Sequence, residues 1–297
     1  KENNLSKKID IKKQQFNKLK NNLLNEGIGA TFNKVKSKVS PSSFDKKLVS
    51  RGYSNAGIII SKGQNVKDFN VGDKVACGGS GIAAHAEFVS VPVNLVSKIP
   101  ENVSMKNASF TTVASIAVQG LRRSDNKPGE IILVVGLGLI GLITVQIAKA
   151  WGMIVIAADI KQDRIEKSKL FGADLSLNFK DKDFDNQVMK LTSQYGVDSV
   201  LITAATKSSD PANRGLKLCK KRGKVVVVGD VGMDLQRSSM YKNELDFLIS
   251  TSYGPGRYDA KYEIDGCDYP YGYVRWTENR NMQEVLRLLS DKKIDFD

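Results

Sequence analysis

The chain has 297 residues, of which 41% are hydrophobic and 26% charged, and its formal net charge is +13. These values are typical of a globular protein long enough for two domains, and they exclude disorder along the whole chain. The longest apolar run, at 131–145, is interrupted by three glycines and is too short to span a bilayer. We therefore expect no membrane-spanning segment.

The cysteines and the first residues bear on the compartment. Cys77, Cys219 and Cys267 are widely spaced and odd in number, which argues against a disulfide framework and favours a reducing compartment. The first thirty residues are rich in Lys and Asn and contain no apolar block of the kind that directs secretion. We expect a cytoplasmic protein.

Residues 1–50 form a basic leader with twelve lysines against four acidic residues, a net charge of +8. Apolar residues recur there with loose helical spacing at 6–24 and at 30–39, so we predict two helices. A basic segment can bind nucleic acid, but no aromatic residues alternate with these lysines to stack bases. We interpret the leader as a solvated helical face, and nucleic-acid binding is the less favoured alternative.

A small β domain is predicted over 51–121. The text AGIIISKGQNVKDFNVGDKVACGG indicates a strand, a turn at 62–63 and a second strand after 71–73. The text AEFVSVP, at 86–92, continues with strand alternation and ends at a proline. A helical pattern follows from Met105 to Leu121.

From 122 to 255 the pattern alternates between strands and helices. We predict strands at 130–135, 153–158, 174–178, 198–203, 223–229 and 247–252, and helices at 139–151, 162–172, 184–195 and 211–221. This alternation predicts an α/β domain with a doubly wound, six-stranded parallel sheet covered on both faces. Residues 256–297 depart from it with a Tyr-rich tail and a helix at 279–289, which we expect to return toward the small β domain.

The strongest motif is the text IILVVGLGLIG, in which a buried strand leads into Gly136-x-Gly138-x-x-Gly141 and then a helix. The first glycine permits a tight turn, the second lets a pyrophosphate approach the backbone, and the third lets the helix pack on the sheet. The free N–H groups at the helix start, around Leu139 and Ile140, offer hydrogen bonds and partial positive charge to phosphate. The motif predicts a Rossmann dinucleotide site.

The next strand, MIVIAAD, ends at Asp159, 21 residues after Gly138. A carboxylate in this place binds the ribose hydroxyls of the adenosine half of the coenzyme. It would repel a 2′-phosphate, so NAD(H) is favoured over NADP(H), although Lys161 and Arg164 leave the alternative open.

Further coenzyme contacts are expected where other strands end, because open parallel sheets bind ligands at the carboxyl ends of their strands. The residues in those places are Thr203, Ala204, Gly229, Asp230, Val231 and Tyr253.

The order of these texts resembles a medium-chain dehydrogenase/reductase, the alcohol dehydrogenase superfamily. The matching pieces cover roughly 52–255. They are AGIIISKGQNVKDFNVGDKVA, AHAEFVSVP, VVGLGLIGLITVQIAKAWGMIVIAAD, KLFGAD and GKVVVVGDVG. The resemblance implies a GroES-like β-barrel, here only partial, beside a nucleotide-binding domain. It also implies assembly into a homo-oligomer, since the superfamily often dimerises through its sixth strand.

A narrower resemblance is carried by GYSNAG, VLITAATKSSDP and SYGPGRYDAKYEIDGCDYPYGYVRWTENRNM. These pieces are similar to the dehydrogenase half of bi-domain bacterial oxidoreductases, which are often linked to surface-polysaccharide synthesis. The resemblance implies that barrel strands precede Lys1 and that a second oxidoreductase domain follows Asp297.

The residues that hold zinc in this superfamily are replaced here. A structural zinc lobe needs four closely spaced cysteines, and the text CGGSGIAAHAEF supplies only Cys77. The Gly-His-Glu segment of the family corresponds to a stretch that contains Tyr53, and the later ligand position corresponds to Thr111. His85 stands alone, so we expect no metal.

Without zinc, hydride transfer needs another electrophile and proton donor. Tyr can act as the acid and Arg as a fixed positive charge. Both types are dense in the tail, and we predict Tyr258 and Arg257 in the substrate pocket, with Tyr53 and Arg275 as second candidates. The alternative, that these aromatic residues hold a loop or an interface, stays open.

Three functions are therefore considered. The leading hypothesis is a zinc-independent, NAD-dependent oxidoreductase acting on a small alcohol or ketone, such as a sugar or a sugar nucleotide. The alternatives are a quinone or enone reductase, and a nucleotide-binding scaffold within a larger bi-domain protein.

Overall fold

The computed structural model describes residues 51–296 of the chain. The basic leader, with the two helices predicted in it, lies outside the described residues. In the part of the chain that is described, no helix is both long and apolar enough to cross a membrane.

The first described region is a three-stranded antiparallel sheet. Its strands are β1 (Ser54–Ile58), β2 (Lys74–Gly78) and β3 (Val96–Lys98), in the order β1-β2-β3. A 3₁₀ turn, Val93–Leu95, precedes β3, and two helices follow it, α1 (Met105–Ala108) and α2 (Thr111–Ser124). The two strands predicted first, with the turn between them, are thus present.

The strand predicted at 86–92 is absent, and this prediction was wrong. Both apolar side chains at its centre are exposed, Phe88 at 74% and Val89 at 37%. Among the described residues no strand pairs with this segment, so its backbone gains no ladder of hydrogen bonds. Alternation of apolar residues favours a strand only where a partner strand is available.

The central element is a six-stranded parallel sheet, as the sequence predicts. Its strands are β4 (Ile131–Val135), β5 (Ile154–Asp159), β6 (Leu175–Asn178), β7 (Val197–Ile202), β8 (Cys219–Val227) and β9 (Asp246–Ile249). The spatial order is β6-β5-β4-β7-β8-β9, and every pair is parallel. The order reverses between β4 and β7, which opens a crevice at the carboxyl ends of these two strands.

Helices cover both faces of this sheet. After α2 they are α3 (Leu139–Ala150), α4 (Gln162–Leu170), α5 (Phe184–Leu191), α6 (Asp210–Leu218) and α7 (Arg237–Asn243). Along β4 the side chains alternate between two buried cores: Ile132 and Val134 enter one, and Leu133 and Val135 enter the other. This strand is apolar throughout because both of its faces are buried.

The boundary between α6 and β8 differs from the prediction. The helix ends at Leu218 and the strand begins at Cys219, four residues earlier than predicted. The register between β7 and β8 shifts here, since Val197 pairs with Cys219 while Ser199 pairs with Lys224. The intervening residues form a bulge, and a bulge leaves no periodic signal in the sequence.

The chain ends with α8 (Ala260–Glu263) and the longer α9 (Glu278–Ser290). The buried side chains of α9 include Met282, Val285, Leu286 and Leu289, which share one face of the helix. This face packs on α2 and β3, and the Asn279 side chain donates hydrogen bonds to the carbonyl oxygens of Asn94 and Val96, both at 2.9 Å. The last helix thus joins the sheet domain to the small β domain.

The buried side chain of Asn281 provides a stability test. It donates to the Tyr253 carbonyl oxygen at 2.9 Å and accepts from Arg122 Nε at 2.9 Å. We expect Asn281→Ala to lower the free energy of unfolding by about 1–3 kcal/mol, because both partners lose a buried hydrogen bond. Gln283→Ala, on the exposed face of the same helix, is the control and should change stability by less than about 0.5 kcal/mol. Urea unfolding measures both, and equal effects would contradict the assignment.

Candidate active site

The glycine turn, residues 136–141, lies at the carboxyl end of β4. Gly136 has φ 100°, and a Cβ there would approach the backbone nitrogen of Ala204 to 2.6 Å. A Cβ on Gly141 would collide with the carbonyl oxygen of Gly136, so only glycine lets α3 pack this closely. A Cβ on Gly138, in contrast, would meet no atom within 4 Å. The turn is tightly packed on its inner side and open on its outer side.

The start of α3 has the features of an anion site. Its N-cap is Gly138, which has no side chain to satisfy the first N–H groups of the helix. Leu139, in the first turn, is 55% exposed, and Ile140 beside it is half-buried. Free N–H groups and the positive end of the helix dipole favour a phosphate at this place.

Asp159 fixes the glycine turn to the neighbouring strand. Its Oδ2 accepts a hydrogen bond from the Leu137 backbone N–H at 2.6 Å, and its Oδ1 accepts from the Lys161 N–H at 2.9 Å. Arg164 Nη1 lies 3.4 Å from Oδ2. The residue is only 6% exposed, and Oδ2 accepts from both Leu137 and Arg164, but Oδ1 keeps a second acceptor position. Asp159 therefore supports the turn and retains capacity for a ligand hydroxyl.

The ends of β7 and β8 complete this edge of the sheet. Thr203 Oγ1 donates to the Gly136 carbonyl oxygen, and the Ala204 N–H donates to Val135 O at 3.1 Å. The Asp230 N–H donates to Ala204 O at 3.2 Å, and a Cβ on Gly229 would collide with that same carbonyl. Val231, the next residue, is buried. The structure brings the residues predicted at these two strand ends next to the glycine turn.

The segment 252–258, here called the GPG loop, follows β9 and contains two of the residues predicted for the substrate pocket, Arg257 and Tyr258. Its backbone takes positive φ at every second residue: Ser252 (47°), Gly254 (123°), Gly256 (106°) and Tyr258 (70°). Side-chain-bearing residues are rarely found in this region, and they persist there only when neighbouring contacts hold them.

Contacts with the last helix hold the GPG loop. A Cβ on Gly254 would approach Asn281 Nδ2 to 2.6 Å, and a Cβ on Gly256 would approach the ring of Tyr262 to 2.5 Å. The Glu278 N–H donates to Pro255 O at 2.8 Å. The loop therefore lies directly on the start of α9.

Beneath the GPG loop is a buried polar cluster, which we define as Tyr253, Arg257, Tyr262, Glu263 and Glu278. Arg257 Nη1 contacts Glu263 Oε1 at 2.7 Å, with both side chains largely buried. Glu278 is fully buried, and neither of its carboxyl oxygens has a hydrogen-bond partner among the described residues. Burial, together with the nearby Glu263, raises the pKa of Glu278 to about 8, while Arg257 acts in the opposite direction. Glu278 is thus protonated at neutral pH.

The four predicted catalytic residues fall into separate places. Arg257 and Tyr258 are in contact, with the guanidinium 4.0 Å from the centre of a ring that is 73% exposed. Arg275 is stacked on Trp276 and Tyr271, at 3.7 and 4.7 Å.

Tyr53 lies just before β1 and is 36% exposed. Among the described residues, neither Tyr53 nor Arg275 forms a hydrogen bond, ion pair or ring contact with the Arg257–Tyr258 pair. Tyr253, predicted as a coenzyme contact, is 2% exposed and belongs to the buried polar cluster; burial raises the pKa of its phenol.

The residues at the family's metal positions do not fit zinc. Tyr53 and Thr111 present a phenol and an alcohol, whereas zinc takes thiolate, imidazole and carboxylate ligands. His85 is exposed, and its ring lies so close to Gly52 that a Cβ there would meet it. Between 51 and 296 no group of three or more His, Cys, Asp or Glu side chains is placed to hold a metal ion.

Sequence reasoning missed the polar residues under the GPG loop. Glu278 follows the helix cap Thr277, where an acid is usually solvated and interacts with the helix dipole. Glu263 ends a four-residue helix within an irregular tail. The density of Tyr and Arg in the tail was the one available signal, and it did not indicate which acids are buried.

The raised pKa of Glu278 predicts a pH-dependent stability. In the unfolded chain this carboxyl group ionises near its ordinary value of 4.5, whereas in the folded protein it keeps its proton up to about pH 8. Between these two pKa values the folded state binds more protons than the unfolded state. The contribution of Glu278 to stability therefore falls as pH rises, by up to about 1.4 kcal/mol per pH unit, and then levels off.

Glu278→Gln removes this titration. The free energy of unfolding of Glu278→Gln minus that of the unmodified protein should increase from pH 5 to pH 8 and stay constant above pH 8. Urea unfolding across this range measures the difference, and a difference that does not change with pH would contradict the raised pKa.

Comparison with known proteins places this geometry in a family. Residues 140–264 match the family model described as zinc-binding dehydrogenase. A D-guloside 3-dehydrogenase of Shigella flexneri is 34% identical over 56% of this chain and 47% of its own length. An alcohol dehydrogenase of Geobacillus stearothermophilus is 29% identical over 60% of each chain. The matched segments thus span only about half of these relatives.

Solved structures share the fold. Mycobacterial Rv1454c, complexed with NADPH, aligns with TM-score 0.67 and 22% identity, covering 86% of this chain and 76% of its own. An alcohol dehydrogenase (rspB) of Escherichia coli CFT073, complexed with NADH, aligns with TM-score 0.65 and 20% identity, covering 81% and 72%. The resemblance noted in the sequence is confirmed: the chain is similar over 140–264 to the zinc-binding dehydrogenases, and it shares the fold of the medium-chain dehydrogenase/reductases, the zinc-type alcohol dehydrogenase superfamily.

Proposed function

We propose that this chain is an NAD(H)-dependent oxidoreductase that interconverts an alcohol and a ketone on a sugar or a sugar nucleotide, without zinc. The observation that carries the proposal is the glycine turn tied to Asp159 by the Leu137 N–H. A turn held in this way presents the free end of α3 to a pyrophosphate and a carboxylate to a ribose.

The glycine turn fits a nicotinamide dinucleotide. Gly138 leaves open space where the pyrophosphate would approach, and Asp159 keeps an acceptor position on Oδ1 for a ribose hydroxyl. Thr203, Ala204, Gly229 and Asp230 line the crevice beyond β4, where the nicotinamide half would lie. When bound, the coenzyme supplies or accepts the hydride.

Charge favours NAD(H) over NADP(H). The Asp159 carboxylate would face the 2′-phosphate of NADP(H), and the nearby Arg164 is already directed at that carboxylate. Because this guanidinium already pairs with a carboxylate, it neutralises less of the negative charge of a 2′-phosphate. The two complexed structures of this fold carry NADH in one case and NADPH in the other, so the fold alone does not set the preference.

The GPG loop supplies the groups that a zinc-free reaction needs. Tyr258 is exposed, so its hydroxyl is free to exchange a proton with a substrate oxygen. Arg257, over its ring, provides positive charge that favours a developing alkoxide on the substrate. The hydroxyl groups of a sugar suit a wall of Tyr, Arg and Asp side chains, and one relative is itself named a guloside dehydrogenase.

The other expectations about the whole protein remain proposals. We propose that it forms a homo-oligomer, that a second oxidoreductase domain accompanies it, and that it acts in the cytoplasm. Nucleotide binding with no turnover across a panel of glycosides and their keto forms would favour the scaffold hypothesis instead.

Asp159 provides the coenzyme test. We expect NADH to bind at least about tenfold more tightly than NADPH, since repulsion of one 2′-phosphate amounts to about 1.4 kcal/mol or more. Asp159→Asn removes the negative charge but keeps a side-chain oxygen that can accept from the Leu137 N–H. It should therefore reduce the difference in affinity between NADH and NADPH. Nicotinamide fluorescence titration measures both affinities.

The matched control for Asp159→Asn is Glu166→Gln, which removes one exposed acidic charge from α4 and should keep the preference. Tighter binding of NADPH by the unmodified protein would refute the NAD(H) assignment. Equal effects of the two substitutions would show that Asp159 has no specific role.

Tyr258 provides the chemical test. We expect Tyr258→Phe to lower kcat by about 10²–10⁴-fold with little change in KM or coenzyme affinity, because only the acid–base hydroxyl is lost. Tyr273→Phe removes a hydroxyl from a tail residue that is 91% exposed and should have no effect. Steady-state kinetics with the best substrate of the panel compare the two, and unaltered kcat in Tyr258→Phe would exclude its role.

A further inference from the structure

The charges of the buried polar cluster do not balance. Glu263 already pairs with Arg257, and Glu278 lies in the same cluster with both carboxyl oxygens unpartnered. The cluster therefore holds two carboxyl groups but a single guanidinium, which is bonded to one of them. An ionised carboxylate without its own partner in a buried place is strongly disfavoured, and a neutral carboxyl group relieves the imbalance.

The neighbours of Glu278 leave Arg257 as its only possible counter-ion in the cluster. From the GPG loop, Tyr253 and Arg257 face it; from α8, Tyr262 and Glu263 do, with Tyr269 further along the tail. Burial raises the pKa of both cluster tyrosines, so they remain neutral phenols. Any negative charge on Glu278 must compete with Glu263 for the same guanidinium.

Arg257 has a donor available for that competition. Its Nη1 is bonded to Glu263, but its buried Nε has no partner among the residues that the structure describes. In this arrangement the guanidinium lies 4.0 Å from the ring of Tyr258, whose backbone has φ 70°. A guanidinium drawn toward Glu278 would leave that ring, and the strained Tyr258 backbone would lose a contact that holds it.

We infer that Glu278 is a positioning residue for Tyr258, acting through Arg257, and that it performs this role in its protonated form. The inference rests on the proposed place of Tyr258 in the substrate pocket. While Glu278 is neutral, Glu263 alone fixes Arg257 over the Tyr258 ring. Once Glu278 ionises, the guanidinium is divided between two carboxylates and Tyr258 is no longer held.

The first test is the pH profile of kcat and KM in three proteins. In the unmodified enzyme kcat should be about tenfold lower at pH 9 than at pH 7, because the protonated fraction of a group with pKa about 8 falls by that factor. Glu278→Gln, a permanently neutral isostere, should abolish this decline. Glu263→Gln should have the opposite effect on kcat. It frees Arg257 to pair with an ionised Glu278, so kcat should already be lower at pH 7.

The second test needs no turnover, so it separates this inference from the proposed function. 4-Fluorophenylalanine at position 258 places a non-titrating ring under Arg257, and ¹⁹F NMR reports its surroundings. The resonance should shift with a midpoint near pH 8 in the protein with native Glu278 and should stay constant with Glu278→Gln. If the ¹⁹F result holds while no carbonyl substrate turns over, the positioning of residue 258 stands and the proposed reaction fails.

Three results would overturn the inference. One is a ¹⁹F resonance at position 258 that does not move between pH 6.5 and pH 9, a result that is decisive even if Glu278→Gln does not fold. Another is a Glu278→Gln profile of kcat that declines with pH as the unmodified profile does. The third is a loss of kcat at pH 7 in Glu278→Gln with coenzyme affinity intact, which would mean that a carboxylate is required.

Discussion

The hydrogen bond between the Asp159 carboxylate and the Leu137 N–H is the contact on which the coenzyme site depends. It exists because β4 and β5 pair in parallel, with Val135 opposite Ala158, so Asp159 at the end of β5 lies beside the turn that follows β4. The Gly136 N–H donates to Ala158 O at 2.8 Å, which strengthens the same connection. The turn thereby holds its shape before any ligand arrives, and preorganised N–H groups bind an anion at less entropic cost.

A different constraint shapes the GPG loop. The GPG loop lies on α9, whose first turn is buried although it carries Thr277, Glu278 and Asn281. Polar groups in such a place must be bonded or neutral. Asn281 satisfies this requirement with hydrogen bonds, and Glu278 satisfies it with a proton. The loop conformation, with φ positive at every second residue, is maintained by this layer rather than by a preference of its own.

In the proposed function, these two parts provide a site that does not depend on the zinc ligands of the related dehydrogenases. The dinucleotide half keeps the superfamily geometry, since it depends on backbone and glycine positions. Tyr53 and Thr111 stand at the positions that the resemblance assigns to metal ligands, and the tail brings Arg257 and Tyr258 together. A fixed guanidinium against a phenol can replace part of what a Lewis acid does, because both stabilise negative charge on oxygen.

The sequence alone determined the elements whose signal is local. The buried strands, the helices between them, the three glycines and Asp159 are each indicated by residues within about twenty positions of one another, and the parallel order follows from their alternation. The tertiary structure decided whatever depends on a distant partner. The segment 86–92 has strand alternation but no strand to pair with, and the bulge at 220–223 follows from its register with β7. The pKa of Glu278 depends on its burial and on the charges of Glu263 and Arg257, which come from other elements, because burial and charge depend on what packs against a residue and not on its neighbours in the chain.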